Sequence, residues 1–242
     1  LYIVLDAMGQ LFYSLSIAMG IMVTYGSYMK KEANLVKSVN QIEIFDTGIA
    51  LLAGMMIIPA VYAFSGTEGM SAGPGLMFIT LPKVFASLGA FGEFIGLIFF
   101  VMVLFAALTS AISILEAITS SVMDKFKWSR KKATLIMAAS TFVISILVCL
   151  GYNVFYFDLK FPTGAVGQIL DVLDYASNNI LMPIVGLLTC ILIGWVVKPK
   201  TTIEEITLNG EKFGRKTLYV VMIKVVAPIL LFIILLTGLG VI

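Results

Sequence analysis

Long apolar runs are the feature that most constrains the fold. Six of them approach or exceed the roughly 20 apolar residues that a helix needs to cross a bilayer. They cover residues 1–28, 46–65, 91–123, 133–150, 168–197 and 217–242. Only 12% of the residues are charged, whereas a soluble domain usually has about 25%. Because backbone groups in lipid must satisfy one another, we predict an all-α, polytopic transmembrane bundle of about six spans.

The basic residues indicate the orientation of these spans. Of the 16 Lys and Arg residues, three lie in the loop 28–45, five in the loop 124–132 and five in the loop 198–216. Cytoplasmic loops carry such an excess, so these three loops are placed inside and the first span starts outside. The positive charges lie in loops between spans, so we expect no nucleic-acid partner. The predicted location is the plasma (inner) membrane, with the lipid bilayer as a partner.

Several kinds of chemistry are disfavoured by composition. Histidine is absent, which removes the commonest general base and zinc ligand. The two cysteines, Cys149 and Cys190, both lie in apolar runs and are more typical of buried thiols than of a disulfide or a metal pair. No Ser–Lys pair lies within the spans, so we expect that the protein is not an enzyme.

The external segment 66–90 combines helix breakers with apolar residues. Gly66, Gly73, Pro74 and Pro82 interrupt any continuous helix. The stretch 76–85 is nevertheless apolar enough to pack onto the bundle. We predict a structured lid here, and a flexible loop is the alternative.

The stretch "FYSLSIAMG", residues 12–20, places two serines and a glycine in the middle of the first run. In a continuous helix, Ser14 and Ser16 could bond back to the preceding turn. The alternative is a discontinuous helix whose freed backbone groups face a cavity, because irregular backbone is tolerated there at membrane depth. We favour the second interpretation.

Asp46 stands at or just inside the cytoplasmic start of the second run, between apolar neighbours. One interpretation is a first-turn carboxylate favoured by the helix dipole. The other is a partner for a cation in the fold, because a carboxylate among apolar residues needs a positive charge.

The third run carries Thr109, Ser110 and Ser113 together. Small residues at helix interfaces are the ordinary explanation, but hydroxyl oxygens are also ligands that hard cations prefer. In the fifth run, Asp171 and Asp174 share one helix face near the external end. They are either solvated at the interface or part of a gate with a basic residue.

Taken together, these motifs resemble the neurotransmitter:sodium symporters, in particular the prokaryotic amino-acid members. The resemblance rests on "GQLFYSLSIAMGIMVTYGSY", "DTGIALLAG" followed by "IIPA", "FAALTSAISILE", "SRKKA" and "LDVLDY". It implies the second half of an inverted-repeat, leucine-transporter-like fold. Residues 1–242 would form a single transmembrane domain corresponding to helices six to eleven, and the first repeat would be missing.

The resemblance also implies roles for particular residues. Those implied to line the substrate pocket are Tyr13, Ser14, Ser16, Ala18, Met19, Ser110 and Ile114. Those implied to bind sodium are Ser14, Asp46, Ala106 through its carbonyl, Thr109 and Ser110. Gln10 matches a pocket that holds a negative charge, and Asp174 matches the acid of an external gate. That acid would pair with an arginine in the missing half.

The implied function is sodium-coupled symport of a small, apolar amino acid by alternating access. Chloride independence is expected, because Asp46 would supply the negative charge that chloride-dependent members take from chloride. The alternative is a non-pumping channel or sensor of the same fold. Many relatives carry glycine where this chain has Ala18, so we expect a smaller pocket than in relatives that accept tryptophan.

Overall fold

A computed structural model describes residues 2–66, 73–161 and 166–241. The elements in chain order are α1 (Tyr2–Ser14), α2 (Ile21–Tyr28), α3 (Leu35–Ser65), α4 (Leu76–Ser87), α5 (Gly89–Phe126), α6 (Arg130–Leu150), β1 (Leu159–Lys160), β2 (Val166–Gly167), α7 (Ile169–Val196), α8 (Pro199–Ile206) and α9 (Lys216–Gly238). Strands β1 and β2 pair antiparallel, with Leu159 opposite Gly167 and Lys160 opposite Val166. The all-α prediction is confirmed.

Five helices, namely α3, α5, α6, α7 and α9, are long and apolar enough to cross a membrane. They match the second to sixth predicted spans. In four of these five helices, 6% of the most apolar 18-residue stretch is buried. The apolar side chains of these helices therefore remain accessible to lipid or to further helices. The first predicted span instead forms the two shorter helices α1 and α2.

Helix α3 begins earlier than the sequence predicted. It starts at Leu35, inside the predicted loop 28–45, and continues to Ser65. The Asn34 side-chain oxygen accepts a hydrogen bond from the Lys37 backbone N–H at 2.8 Å, as at a helix N-cap. Asp46 therefore lies well inside the helix, and the interpretation of Asp46 as a first-turn carboxylate is wrong.

Three prolines directly follow wider turns of π-helix. The segments Leu76–Thr80, Tyr175–Leu181 and Met222–Val226 have π-helical hydrogen bonding, and Pro82, Pro183 and Pro228 lie in the first turns of the α-helical parts that follow. Proline removes a backbone donor and crowds the preceding turn. Wider turns before it relieve this conflict without ending the helix.

The chain forms two compact units. Unit 1 contains the residues up to Asn40 and those from Ile114 onward, and unit 2 contains Gln41–Ser113. In unit 1, α7 and α9 approach closely at glycines. A Cβ added to Gly186 would lie 3.1 Å from the Leu231 side chain, and one added to Gly238 would lie 2.6 Å from the Asn179 carbonyl oxygen. The small residues permit this packing.

In unit 2, α4 packs against neighbouring helices through an apolar core. Val61, Leu81 and Val84 are buried there, and Phe85 and Phe99 pack around them. The ring centroids of these two phenylalanines lie 5.5 Å apart. The segment predicted as a structured lid is thus an ordered helix, whereas residues 67–72 of that prediction lie outside the described residues. Its role as a lid stays a prediction.

Candidate functional site

The first span is broken at the predicted position. Helix α1 ends at Ser14 and α2 begins at Ile21. Between them, Ser16, Ala18 and Gly20 adopt φ values of 54°, 65° and 78°. Left-handed backbone cannot continue a right-handed helix, so the chain unwinds here. The predicted break in the helix is confirmed, whereas the cavity that its freed backbone groups would face stays a prediction.

The break leaves backbone groups without helical partners. Within the described residues, no backbone hydrogen bond is recorded for the amides of residues 18–20 or for the carbonyls of residues 15–19. A lipid-facing backbone could not tolerate this, because each unsatisfied polar group in hydrocarbon costs several kcal/mol. Irregular backbone of this kind suits a site where water, an ion or a substrate is bound.

The two helix ends at the break carry opposite partial charges. The carboxyl end of α1 is partially negative and the amino end of α2 is partially positive. Carbonyl oxygens at the end of α1 suit a cation, and N–H groups at the start of α2 suit an anionic group. One short segment can therefore hold a cation and a carboxylate side by side.

The predicted pocket residues of the first span occupy this break and its margin. Tyr13 and Ser14 form the last turn of α1, whereas Ser16, Ala18 and Met19 lie in the unwound segment. Tyr13 is about half exposed, and Met19 is partly buried. Gln10, the predicted charge-pocket residue, lies one turn earlier on α1. These residues are neighbours in the chain, and their roles in binding stay predictions.

The predicted sodium ligands of α5 lie within two consecutive turns. The Thr109 hydroxyl donates to the Ala106 carbonyl oxygen at 2.9 Å. Ser110 is adjacent, and Ile114 follows one turn later. The Thr109 and Ala106 oxygens thus lie side by side on α5, and oxygen donors of this kind fit an alkali cation.

Asp46 belongs to unit 2, as do Ala106, Thr109 and Ser110, whereas Ser14 belongs to unit 1. Asp46 is partly buried within α3. No group of three or more His, Cys, Asp or Glu side chains clusters within the described part of the chain.

The two acids at the start of α7 have different partners. The Asp171 carboxylate accepts a hydrogen bond from the Gln168 backbone N–H at 2.8 Å, which caps the helix. The Asp174 carboxylate accepts one from the Asn178 side-chain amide at 2.6 Å. Asp171 is therefore a structural cap. Asp174 uses one carboxylate oxygen for Asn178, and its gate role stays a prediction.

A contact that joins α2, α5 and α6 was not predicted from the sequence. The Tyr28 hydroxyl donates to one Glu116 carboxylate oxygen at 2.6 Å, and the Arg130 guanidinium donates to the other at 2.6 Å. This triad joins α2, α5 and α6. The only sequence signal was an acid within an apolar run, and nothing local pointed to partners 88 and 14 residues away.

Comparison with known proteins identifies a family. The profile of the sodium:neurotransmitter symporter family matches residues 2–241. An uncharacterized sodium-dependent transporter of Haemophilus influenzae is 35% identical over 96% of this chain and 49% of its own length. One from Methanocaldococcus jannaschii is 33% identical over 94% of this chain and 44% of its own length. The chain thus spans about half the length of these curated relatives.

A solved structure shares the fold. The crystal structure of MhsT in complex with L-phenylalanine has 32% sequence identity and a TM-score of 0.85, over 97% of this chain and 51% of that protein. The sodium-dependent dopamine transporter of Bos taurus is 25% identical over 75% of this chain and 26% of its own length. The predicted leucine-transporter-like architecture is confirmed.

Proposed function

Because this chain belongs to the sodium:neurotransmitter symporter family, an integral membrane family of transporters rather than of enzymes, we propose that it is the second half of a sodium-coupled symporter. The missing partner is the first half of the same transporter, since the matched relatives are about twice as long as the aligned region. The substrate is a small, apolar amino acid.

The observation that carries this proposal is the broken helix between Ser14 and Ile21. An amino acid presents both charges, and its carboxylate suits the amino end of α2 and a cation beside it. Tyr13, Ser14, Ser16, Ala18 and Met19 are proposed to line the pocket, with Ser110 and Ile114 contributed by α5. A substrate bound here would form hydrogen bonds with the backbone groups of the unwound segment, which lipid cannot do.

Two groups of oxygens are proposed to bind the sodium ions. The first contains Ser14 and Asp46, with the substrate carboxylate as a further ligand. The second contains the Ala106 carbonyl and the hydroxyls of Thr109 and Ser110. A sodium ion that shares a ligand with the substrate raises the affinity for that substrate, and the substrate raises the affinity for sodium by the same factor. This reciprocity is the coupling that symport requires.

The chemistry of the pocket favours an apolar side chain. Met19 is flexible and apolar, so it adapts to side chains of different shape, and Tyr13 offers an aromatic face. The related MhsT was crystallised with L-phenylalanine, which supports an apolar substrate.

Gln10 and Asp46 would form a fixed negative pocket that makes chloride unnecessary. Alternating access would rock the two repeats around this site, with Asp174 closing the outside.

Replacing sodium with potassium is expected to reduce concentrative amino-acid uptake by the complete transporter in proteoliposomes to background. Potassium is too large for compact oxygen sites and would not couple to the substrate. Uptake of radiolabelled leucine or phenylalanine measures this, and replacing chloride with gluconate is the matched control that should leave uptake unchanged. A channel would equilibrate the label without concentrating it, and a sensor would bind it without flux. Either result would contradict symport.

Replacing Ala18 with glycine is expected to widen the range of accepted substrates. Ala18 has a φ of 65°, and left-handed backbone costs a residue with a Cβ about 1–2 kcal/mol. Glycine removes both this strain and the methyl group beside the unwound segment. We expect tryptophan to compete at least about fivefold better in the variant, whereas competition by alanine changes little. Strong tryptophan binding by the unmodified transporter would contradict a small pocket.

A further inference from the structure

A cavity of about 600 Å³ lies in unit 1 at the carboxyl end of α7, lined by residues from α7, α8 and α9. The excess of basic residues in the loop 198–216 predicts that this end is cytoplasmic. Its volume is within the range typical of small-molecule sites, about 300–1,000 Å³. None of its lining residues is among those proposed to bind the substrate or the sodium ions.

The wall of this cavity is strongly basic. Lys198, Lys200, Lys216 and Lys224 line it, with Glu204 as the acid among the lining residues. Glu204 lies 3.7 Å from Lys200, so it offsets that lysine. Over the described ranges no salt bridge is recorded for Lys198, Lys216 or Lys224. Among the described residues, three positive charges therefore line the cavity without a salt-bridge partner.

The backbone also positions these charges. Lys216, Val220 and Lys224 follow a spacing of four, which places them on one face of α9. Lys198 has φ 71° and ψ 138° at the junction of α7 and α8, a conformation that is unusual for a residue with a Cβ. Pro199, which is buried, follows at once and starts α8. The sharp junction keeps the Lys198 ammonium at the cavity rather than at a free loop tip.

The apolar part of the cavity indicates a lipid rather than a soluble anion. Trp195 lines it and remains 62% exposed, and the adjacent Val196 is 67% exposed. The Lys224 ammonium lies 5.7 Å from the centre of the Trp195 ring. Tryptophan at the end of a span is typical of the membrane–water interface, where lysines attract anionic headgroups. An exposed aromatic ring and aliphatic side chains beside a basic cavity suit acyl chains attached to a phosphate.

We propose that this cavity binds the phosphate headgroup of an anionic phospholipid from the cytoplasmic leaflet. Lys198, Lys216 and Lys224 contact the phosphate oxygens, and Trp195 lies against the upper part of the acyl chains. Because α7 and α9 pack together directly, a lipid held between their cytoplasmic ends and α8 would stabilise this corner of the bundle. This inference depends on membrane insertion and not on the identity of the transported substrate.

The experiment uses the purified complete transporter and native mass spectrometry. Bound lipid is counted after titration with dioleoylphosphatidylglycerol, dioleoylphosphatidylcholine or the soluble headgroup glycerophosphoglycerol. The test variant carries Lys198→Gln, Lys216→Gln and Lys224→Gln together. The matched control carries Lys30→Gln, Lys31→Gln and Lys37→Gln, which remove the same charge from another cytoplasmic segment. Thermal unfolding in detergent confirms that both variants are folded.

We expect the unmodified protein to prefer phosphatidylglycerol over phosphatidylcholine. The test variant should lose about a hundredfold in phosphatidylglycerol affinity, since each lysine near an anionic surface contributes roughly fivefold, and the control should lose less than about fivefold. Equal losses in both variants would show diffuse attraction instead of a site. Equal affinity for the soluble headgroup would identify a free-anion site and overturn the lipid assignment, as would unchanged binding in the test variant. If the test variant does not fold, Trp195→Ala replaces it, and unchanged lipid preference there overturns the proposal.

Discussion

Sodium-dependent uptake is expected to disappear in the Asp46→Ala variant of the complete transporter. Removing one partner of a buried charge pair costs at least about 3 kcal/mol, and we use this lower limit because Asp46 is partly buried. It corresponds to a loss of about two orders of magnitude in sodium affinity. At ordinary sodium concentrations the site would be essentially empty. Radiolabelled uptake and sodium-dependent substrate binding measure this effect, and normal uptake at ordinary sodium would refute the assignment.

The Asp46→Asn variant separates ligation from charge. Asparagine keeps a side-chain oxygen at nearly the same place but removes the negative charge. We expect it to bind sodium better than the alanine variant and less well than the unmodified protein. If the carboxylate replaces a chloride ion, added chloride should restore part of the activity to the asparagine variant only. If chloride stimulates uptake by the unmodified transporter, the hypothesis that the Asp46 carboxylate replaces a chloride ion is wrong.

Glu205→Gln is the matched control for both variants. Glu205 is an exposed acid in α8, and the change removes one negative charge at a distance in sequence from every proposed ligand. It should leave uptake and its sodium dependence unchanged. A comparable loss in this control would mean that net charge, and not the Asp46 carboxylate, governs sodium binding.

The sequence predicted the first and last residues of a span well where polar residues flank the apolar run. The prediction 168–197 differs by one residue at each end from α7, and the prediction 91–123 lies just inside α5. The start of α3 was missed because residues 35–45 include Lys37, Asn40 and Glu43, which together with the other polar residues resemble a cytoplasmic loop. A helix can extend beyond the hydrocarbon region once its first turn is capped, and hydropathy does not detect this extension.

The break in the first span was predictable because its cause is local in the sequence. Serines and glycine within an apolar run indicated the break, because the unwinding is caused by residues in that run. The triad of Tyr28, Glu116 and Arg130 was not predictable in the same way. Its members are spread over more than 100 positions, and their contact depends on how three helices pack. Glu116 is an acid in an apolar run, but no property of its neighbours indicates which basic or hydroxyl group it contacts.

The Glu116 carboxylate is expected to keep the cytoplasmic half of unit 1 closed. The residue lies about 15 Å before the end of α5, and its side chain is 18% exposed. It links the Tyr28 hydroxyl on α2 to Arg130 at the start of α6. Because α2 is the inner half of the broken span, loosening this contact would let α2 move and would favour an inward-open state.

A Glu116→Gln variant should therefore take up substrate about tenfold more slowly while it still binds substrate. A hydrogen bond to a charged group contributes about 1.5–3 kcal/mol. Because Tyr28 is exposed, we use the lower limit of this range, which corresponds to about a tenfold change in rate. Glutamine keeps the size of the side chain and an oxygen acceptor, so gross misfolding is not expected. Uptake rate and equilibrium binding in detergent separate slower transport from lost binding.

Tyr28→Phe tests whether the triad acts as a unit. If the tyrosine hydroxyl acts through Glu116, the double variant should be no slower than Glu116→Gln alone, and the two single effects should not add. Additive effects would show that Tyr28 and Glu116 act independently, and unchanged uptake in both single variants would remove the proposed closing role. The same measurement distinguishes this contact from the sodium site, since weakened closure reduces transport at every sodium concentration, whereas loss of a sodium ligand is overcome as sodium rises.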